Sequence, residues 1–150
     1  MSAARFNASI EALKRAADVL SKADLVAVIE PIDRIENPTI YLDGVTEAFE
    51  IAAAVNSPNV RVLYDIYHEQ REFGNLIEKF EKNIEQVGLV HIADVPGRHE
   101  PGTGEIHYLN IYRKLAELNY RGTICMEFYP DGDIVETLRR ARDQARSLLG

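Results

Sequence analysis

Glu30, Asp65, His91 and Glu127 stand about one βα unit apart, each in or at the end of a short apolar run. Three carboxylates and an imidazole brought to one place form a charged cluster. The carboxylates repel one another unless a cation or protons compensate. Mostly oxygen donors with one nitrogen suit Mg²⁺ or Mn²⁺, and Zn²⁺ or Co²⁺ also fit. The plain alternative for any one of these residues is a polar strand end facing water. That reading weakens when four such residues fall in register, one per strand, because active sites of parallel α/β folds form at the carboxyl edge of the strands.

The elements that must position them follow from hydrophobic period. Leu25 to Ile29 is short and β-branched, which predicts a buried strand ending at Glu30-Pro31. Val60 to Tyr64 ends at Asp65, Leu89 to Ala93 contains His91, and Thr123 to Phe128 contains Glu127. Between them the spacing is helical. Phe6, Ile10, Leu13, Ala17 and Leu20 mark a first helix, and Val45, Ala48, Phe49, Ala52 and Val55 a second. Leu76, Ile77, Phe80, Ile84 and Val87 predict a third that Gly88 ends, and Leu109, Tyr112, Leu115 and Leu118 a fourth. A last helix from about Asp133 is expected to turn Ile134, Leu138, Ala141, Ala145 and Leu148 to the core. The order is one helix followed by four βα units, which implies a parallel sheet with helical crossovers. No linker or composition shift divides residues 1–150, so a single domain is expected.

Other residues carry weaker signals. His68, three positions after Asp65, is placed either to hydrogen-bond a substrate or to cap the following turn. Arg98, His99 and Glu100 lie in a long loop with Pro96, Gly97, Pro101, Gly102 and Gly104, which core packing does not explain. Arg98 suits a bidentate fork on a substrate carboxylate, or else is a solvated surface arginine. The loop glycines fit neither the phosphate-cradling nor the dinucleotide spacing. Cys125, inside an apolar strand, is expected to be a small core residue.

Composition narrows the classes. The 150 residues are 46% hydrophobic and 27% charged, ordinary for a globular protein. Lys and Arg number 17 against 24 acids, a net charge of -7, which disfavours nucleic acid and anionic membranes as partners. No apolar run approaches a membrane span, and the first twenty residues lack the apolar core of a secretory signal. A single cysteine excludes an intrachain disulfide or thiolate zinc cluster. A cytoplasmic setting is the expectation.

The stretch from His91 to Ile106, HIADVPGRHEPGTGEI, closely resembles the signature of hydroxypyruvate isomerases, in the xylose-isomerase-like TIM-barrel superfamily. Glu30-Pro31-Ile32-Asp33 followed by Asn37-Pro38, Asp65-Ile66-Tyr67-His68, and Met126-Glu127-Phe128 are similar to other strand ends of that family, in the same order. The resemblance runs from about residue 6 to residue 140. It implies a (β/α) barrel with four βα units matching the last four of eight. It implies a divalent metal, Mg²⁺ or Mn²⁺ first, on Glu30, Asp65, His91 and Glu127, with Glu30 and Glu127 as the acid/base pair. His68, Arg98 and His99 would contact substrate. The implied reaction, in carbohydrate metabolism, interconverts hydroxypyruvate and tartronate semialdehyde through an enediolate. Alternatives are a 2-oxo-tetronate isomerase or ketose 3-epimerase, or a non-catalytic metal-binding half-barrel module. Eight-stranded barrels have about 250 residues. The expected partners are therefore a small hydroxy-keto acid and either a second copy of the chain or a missing half barrel.

Overall fold

The computed structural model describes residues 3–149. Helix α1 (Ala3–Ala23) buries Ile10 and Ala17, with Phe6, Leu13 and Leu20 partly covered, as the spacing predicts. Strand β1 (Ala27–Ile29) follows, then helix α2 (Val45–Val55), β2 (Val60–Asp65), α3 (Ile66–Glu72), α4 (Leu76–Asn83), a 3-10 turn (Ile84–Gln86), β3 (Val87–Ile92), α5 (Tyr108–Glu117), β4 (Thr123–Met126) and α6 (Ile134–Leu149). The strands form one parallel sheet in the order β1-β2-β3-β4 with the helices around it, a half-barrel unit.

The core lies between the helices and the sheet. Tyr64 stacks on Phe80 at 3.9 Å, and its hydroxyl donates to the Leu76 carbonyl at 3.0 Å. Val62, Val90, Ile92, Ile111, Tyr112 and Leu115 are buried with them. Burial of this kind drives the chain together at roughly 25 cal/mol per Å² of apolar surface.

Several helix ends are held by side chains that also matter to the site. α2 begins at Gly44, which has no side chain to cap it; the buried Glu69 carboxylate accepts the Val45 N–H instead, at 2.9 Å. α3 begins immediately after β2, because Asp65 is its N-cap: Oδ1 accepts from Tyr67 N (2.8 Å) and His68 N (3.1 Å). The sequence period gave no sign of α3, since its seven residues are too few to show one.

Four expectations are corrected. Val87 and Gly88 belong to β3, not to the preceding helix. The sheet is so tight there that a Cβ on Gly88 would lie 2.8 Å from Arg61 Cβ and 3.0 Å from Val28 Cγ1, so only glycine fits this strand position. Cys125 is exposed: it pairs in register with His91 on the last strand, which has a neighbour on one side only. In α6, Ala141 and Ala145 are buried, but Ile134 and Leu138 are not; with Val135 they form an exposed apolar stretch at the start of α6. The run Leu25 to Ile29 is not the buried strand expected: Leu25 and Val26 precede β1 and are exposed, and Ala27–Ile29 is only partly buried because β1 pairs on one side with β2.

Candidate metal centre

The register of the sheet assembles the site. Asp65 on β2 is the Cα partner of His91 on β3, so both side chains leave the same face at the same level. Glu30 follows the end of β1 and Glu127 the end of β4, where its N–H donates to the Ile92 carbonyl at 3.3 Å. The four residues each offer a ligand atom, and these atoms lie within 4.8 Å of one another. His91 Nδ1 is the hub: 2.9 Å from Glu127 Oε2, 3.5 Å from Glu30 Oε1 and 3.6 Å from Asp65 Oδ2.

The donor chemistry fits a divalent cation. Oxygens at about 2.1 Å from an octahedral ion lie about 3.0–4.2 Å apart, close to the spacing seen. The surrounding acids favour the charged imidazole. Burial alone would push His91 down, but hydrogen bonds to Asp65 and Glu30 and the charge of Glu127 raise it to about 10. Burial would raise Asp65; the hydrogen bond to His91, the charge of Arg98 and the His68 backbone N–H outweigh it and hold Asp65 below the usual carboxylate range. Asp65 divides its work between its two oxygens. Oδ1 caps α3, which leaves Oδ2 fixed toward the cluster.

His68 and Arg98 join the site. His68 is buried, with Nδ1 on Asp33 Oδ2 at 2.6 Å and Nε2 on Arg98 Nη1 at 3.1 Å. An arginine N–H only donates, so Nε2 accepts and Nδ1–H donates to Asp33. Arg98 Nη2 donates to Asp65 Oδ2 at 3.0 Å and to Glu127 Oε2. His99 lies outside the cluster: its Nδ1–H donates to the Tyr129 carbonyl at 2.7 Å.

Sequence reasoning missed Glu36, Asp33, Arg71 and Tyr67. Glu36 accepts from Arg98 Nη1 at 3.2 Å on both oxygens, and from Arg71 at 3.2 Å. The Tyr67 ring centre is within cation–π range of two guanidinium groups, 4.7 Å from Arg71 and 4.8 Å from Arg98. Two acids in the polar loop right after Glu30, at the carboxyl end of β1, were the available signal. A cleft of about 430 Å³ opens beside the cluster, lined by Glu30, Glu36, His68, Arg98, Glu127 and Tyr129 among others, large enough for a small organic acid.

A parallel half barrel with a three-carboxylate, one-imidazole centre at its strand ends defines a class, the metal-centre TIM barrels, and comparison with known proteins agrees. The family described as xylose isomerase-like TIM barrel matches residues 2–148, and the chain belongs to it. The chain is 36% identical to the hydroxypyruvate isomerase of Escherichia coli over 121 residues, covering 81% of this chain and 47% of that protein. It is 33% identical to the 2-oxo-tetronate isomerase of Pectobacterium atrosepticum over 123 residues, covering 82% and 47%. A crystal structure described as AP endonuclease, family 2, from Brucella melitensis superposes with a TM-score of 0.84 at 34% identity, covering 89% of this chain and 52% of that one. The chain thus spans about half the length of the curated relatives it matches. Among the described residues no helix is long and apolar enough to cross a membrane.

Proposed function

We propose that this chain carries the metal-binding and proton-transfer half of an isomerase that interconverts hydroxypyruvate and tartronate semialdehyde. The observation that carries the reading is the convergence of Glu30, Asp65, His91 and Glu127 at the ends of four adjacent strands, beside a cleft that also holds Arg98. Net reaction moves a carbon-bound proton from C3 to C2 and a hydroxyl proton from O3 to O2. Glu30 and Glu127 reach in from the two edge strands; one takes the proton from carbon and the other returns it to the neighbouring carbon. General acid–base help of this kind is typically worth 10²–10⁴-fold. A divalent ion on the four residues, Mg²⁺ or Mn²⁺ in this proposal, supplies polarisation of the substrate oxygens. Arg98 and His68 hold the substrate carboxylate and hydroxyl, while His99 seats the rim through the Tyr129 carbonyl.

The 2-oxo-tetronate isomerase relative supports a related substrate with one more carbon, and the cleft has room for it. A cytoplasmic setting belongs to the same reading, consistent with one unpaired cysteine. So does a second copy of the chain as partner. β1 and β4 each have a free edge, and both edges carry exposed apolar residues. A twofold axis along the strands would set β1 of each copy beside β4 of the other, all eight parallel.

The test is NMR of hydroxypyruvate in D₂O with and without Mg²⁺ or Mn²⁺, beside Glu127→Gln. Metal-dependent deuterium incorporation that Glu127→Gln loses is the expected result. Metal binding without exchange at high protein concentration would overturn catalysis and leave the module reading.

A further inference from the structure

We infer that Arg98 is a built-in counter-cation of the four-residue cluster, and that a divalent ion must displace its Nη2 to bind. The inference rests on the metal-centre reading above. Arg98 sits in the loop between β3 and α5 with φ +56, in the left-handed region, next to Gly97 at φ +89. Its backbone is fixed from both sides. The Arg98 carbonyl accepts the Tyr129 N–H at 2.8 Å, and the next carbonyl, His99, accepts the Asp94 N–H at 2.8 Å. The side chain is therefore aimed, not drifting.

All five of its N–H donors have partners. Nε donates to the Glu127 carbonyl at 3.2 Å, and Nη1 to Glu36 (3.2 Å) and His68 Nε2 (3.1 Å). Nη2 donates to Asp65 Oδ2 at 3.0 Å and to Glu127 Oε2. Those last two oxygens are the same atoms that face His91 Nδ1 at 3.6 and 2.9 Å. Arg98 thus occupies lone pairs that a metal needs, with a charge that a divalent ion repels.

The remaining contacts say where the guanidinium goes. Nη1 keeps Glu36 and His68, neither of which is among the four metal-centre residues, so the group pivots on Nη1 instead of leaving. Displaced Nη2 then lies free at the cleft, two donors short of acceptors, and a carboxylate in the cleft satisfies it. Metal loading would in this way switch Arg98 from neutralising the protein's own acids to receiving the substrate's. By linkage, an anion on Arg98 and a metal on the cluster favour each other.

The experiment is Mn²⁺ titration by calorimetry, with thermal melts of metal-free and Mn²⁺-loaded protein, for wild type, Arg98→Gln and Arg98→Lys. Arg98→Gln is expected to bind Mn²⁺ at least about fivefold tighter, at the low end of ordinary couplings between sites. Its metal-free melt should fall by about 2–4 °C while the rise on adding Mn²⁺ grows. Arg98→Lys, which keeps the charge, should stay near wild type in affinity. A merely structural arginine would lower both melts alike and leave Mn²⁺ affinity unchanged or weaker, and that result overturns the inference. Saturable binding by wild type with no gain in Arg98→Gln sinks the counter-cation alone; no binding by any of the three sinks the metal centre with it.

Discussion

At the scale of single residues, carboxylates in this chain are bound to fixed N–H partners that decide what each can do. Asp94 is fully buried and accepts three backbone N–H groups, from Val95 (2.9 Å), Gly102 (2.8 Å) and Ile106 (3.0 Å), so one side chain closes the loop that presents Arg98. Asp94→Asn would turn a donor toward Gly102 N–H or leave it unpaired. The expected loss is about 1–3 kcal/mol in urea unfolding, with weaker substrate saturation. Glu100 is buried and ties Asp131 N–H (3.0 Å) and Arg140 (2.6 Å) to the same loop. Burial would raise it, but the N–H of Asp131, its own backbone N–H and Arg140 hold it below the usual 4.5. An acid depressed by folding adds stability above its unfolded value, and that stability is lost as pH falls through the folded value. Glu100→Gln should therefore be less stable than wild type at neutral pH, and unfolding curves at successively lower pH should converge. A gap that persists in acid would contradict this account. The four central residues were legible because each lies in or at the end of an apolar run; Glu36 and Asp33 were not, because a polar loop gives acids no period to stand out from.

At the scale of elements, the alternation of strands and helices followed from sequence because parallel strands with helical crossovers read as short β-branched runs between helical periods, although only β2 and β3 are mostly buried. Two errors share a cause. Gly88 marks a helix end by its residue type, yet sits in β3 because the sheet leaves no room for a Cβ beside Arg61 and Val28. The backbone approach that demands glycine there is tertiary and leaves no local trace. Gly88→Val should destabilise the chain by about 1–3 kcal/mol, measured by urea unfolding, as crowding of a packed interior does. Likewise α6 shows a clean apolar stripe, but only its middle and C-terminal part, Ala141, Ala145 and Leu148, meets this chain's own core. The N-terminal part of the stripe, Ile134 and Leu138, is left for something else.

At the scale of the whole molecule, that remainder points to association. Exposed apolar residues gather at both edges of an open parallel sheet, Leu25 and Val26 by β1, Ile134, Val135 and Leu138 by β4. Sedimentation should give twice the 16.9 kDa chain mass at high concentration. Cys125 is a built-in reporter, since it is exposed on the face it shares with His91. Its reaction with a thiol reagent should slow as concentration rises, and Val135→Lys should restore the fast rate without unfolding the chain. A monomeric mass with concentration-independent thiol reactivity would exclude the paired half barrel.

The central claim is that four adjacent strand ends build one cation centre with a single nitrogen donor. Pulsed electron paramagnetic resonance of bound Mn²⁺ tests it most directly. The account predicts one Mn²⁺ per chain with ¹⁴N coupling from one imidazole, the coupling lost in His91→Gln. Mn²⁺ with no nitrogen coupling, or coupling that survives His91→Gln, would contradict it.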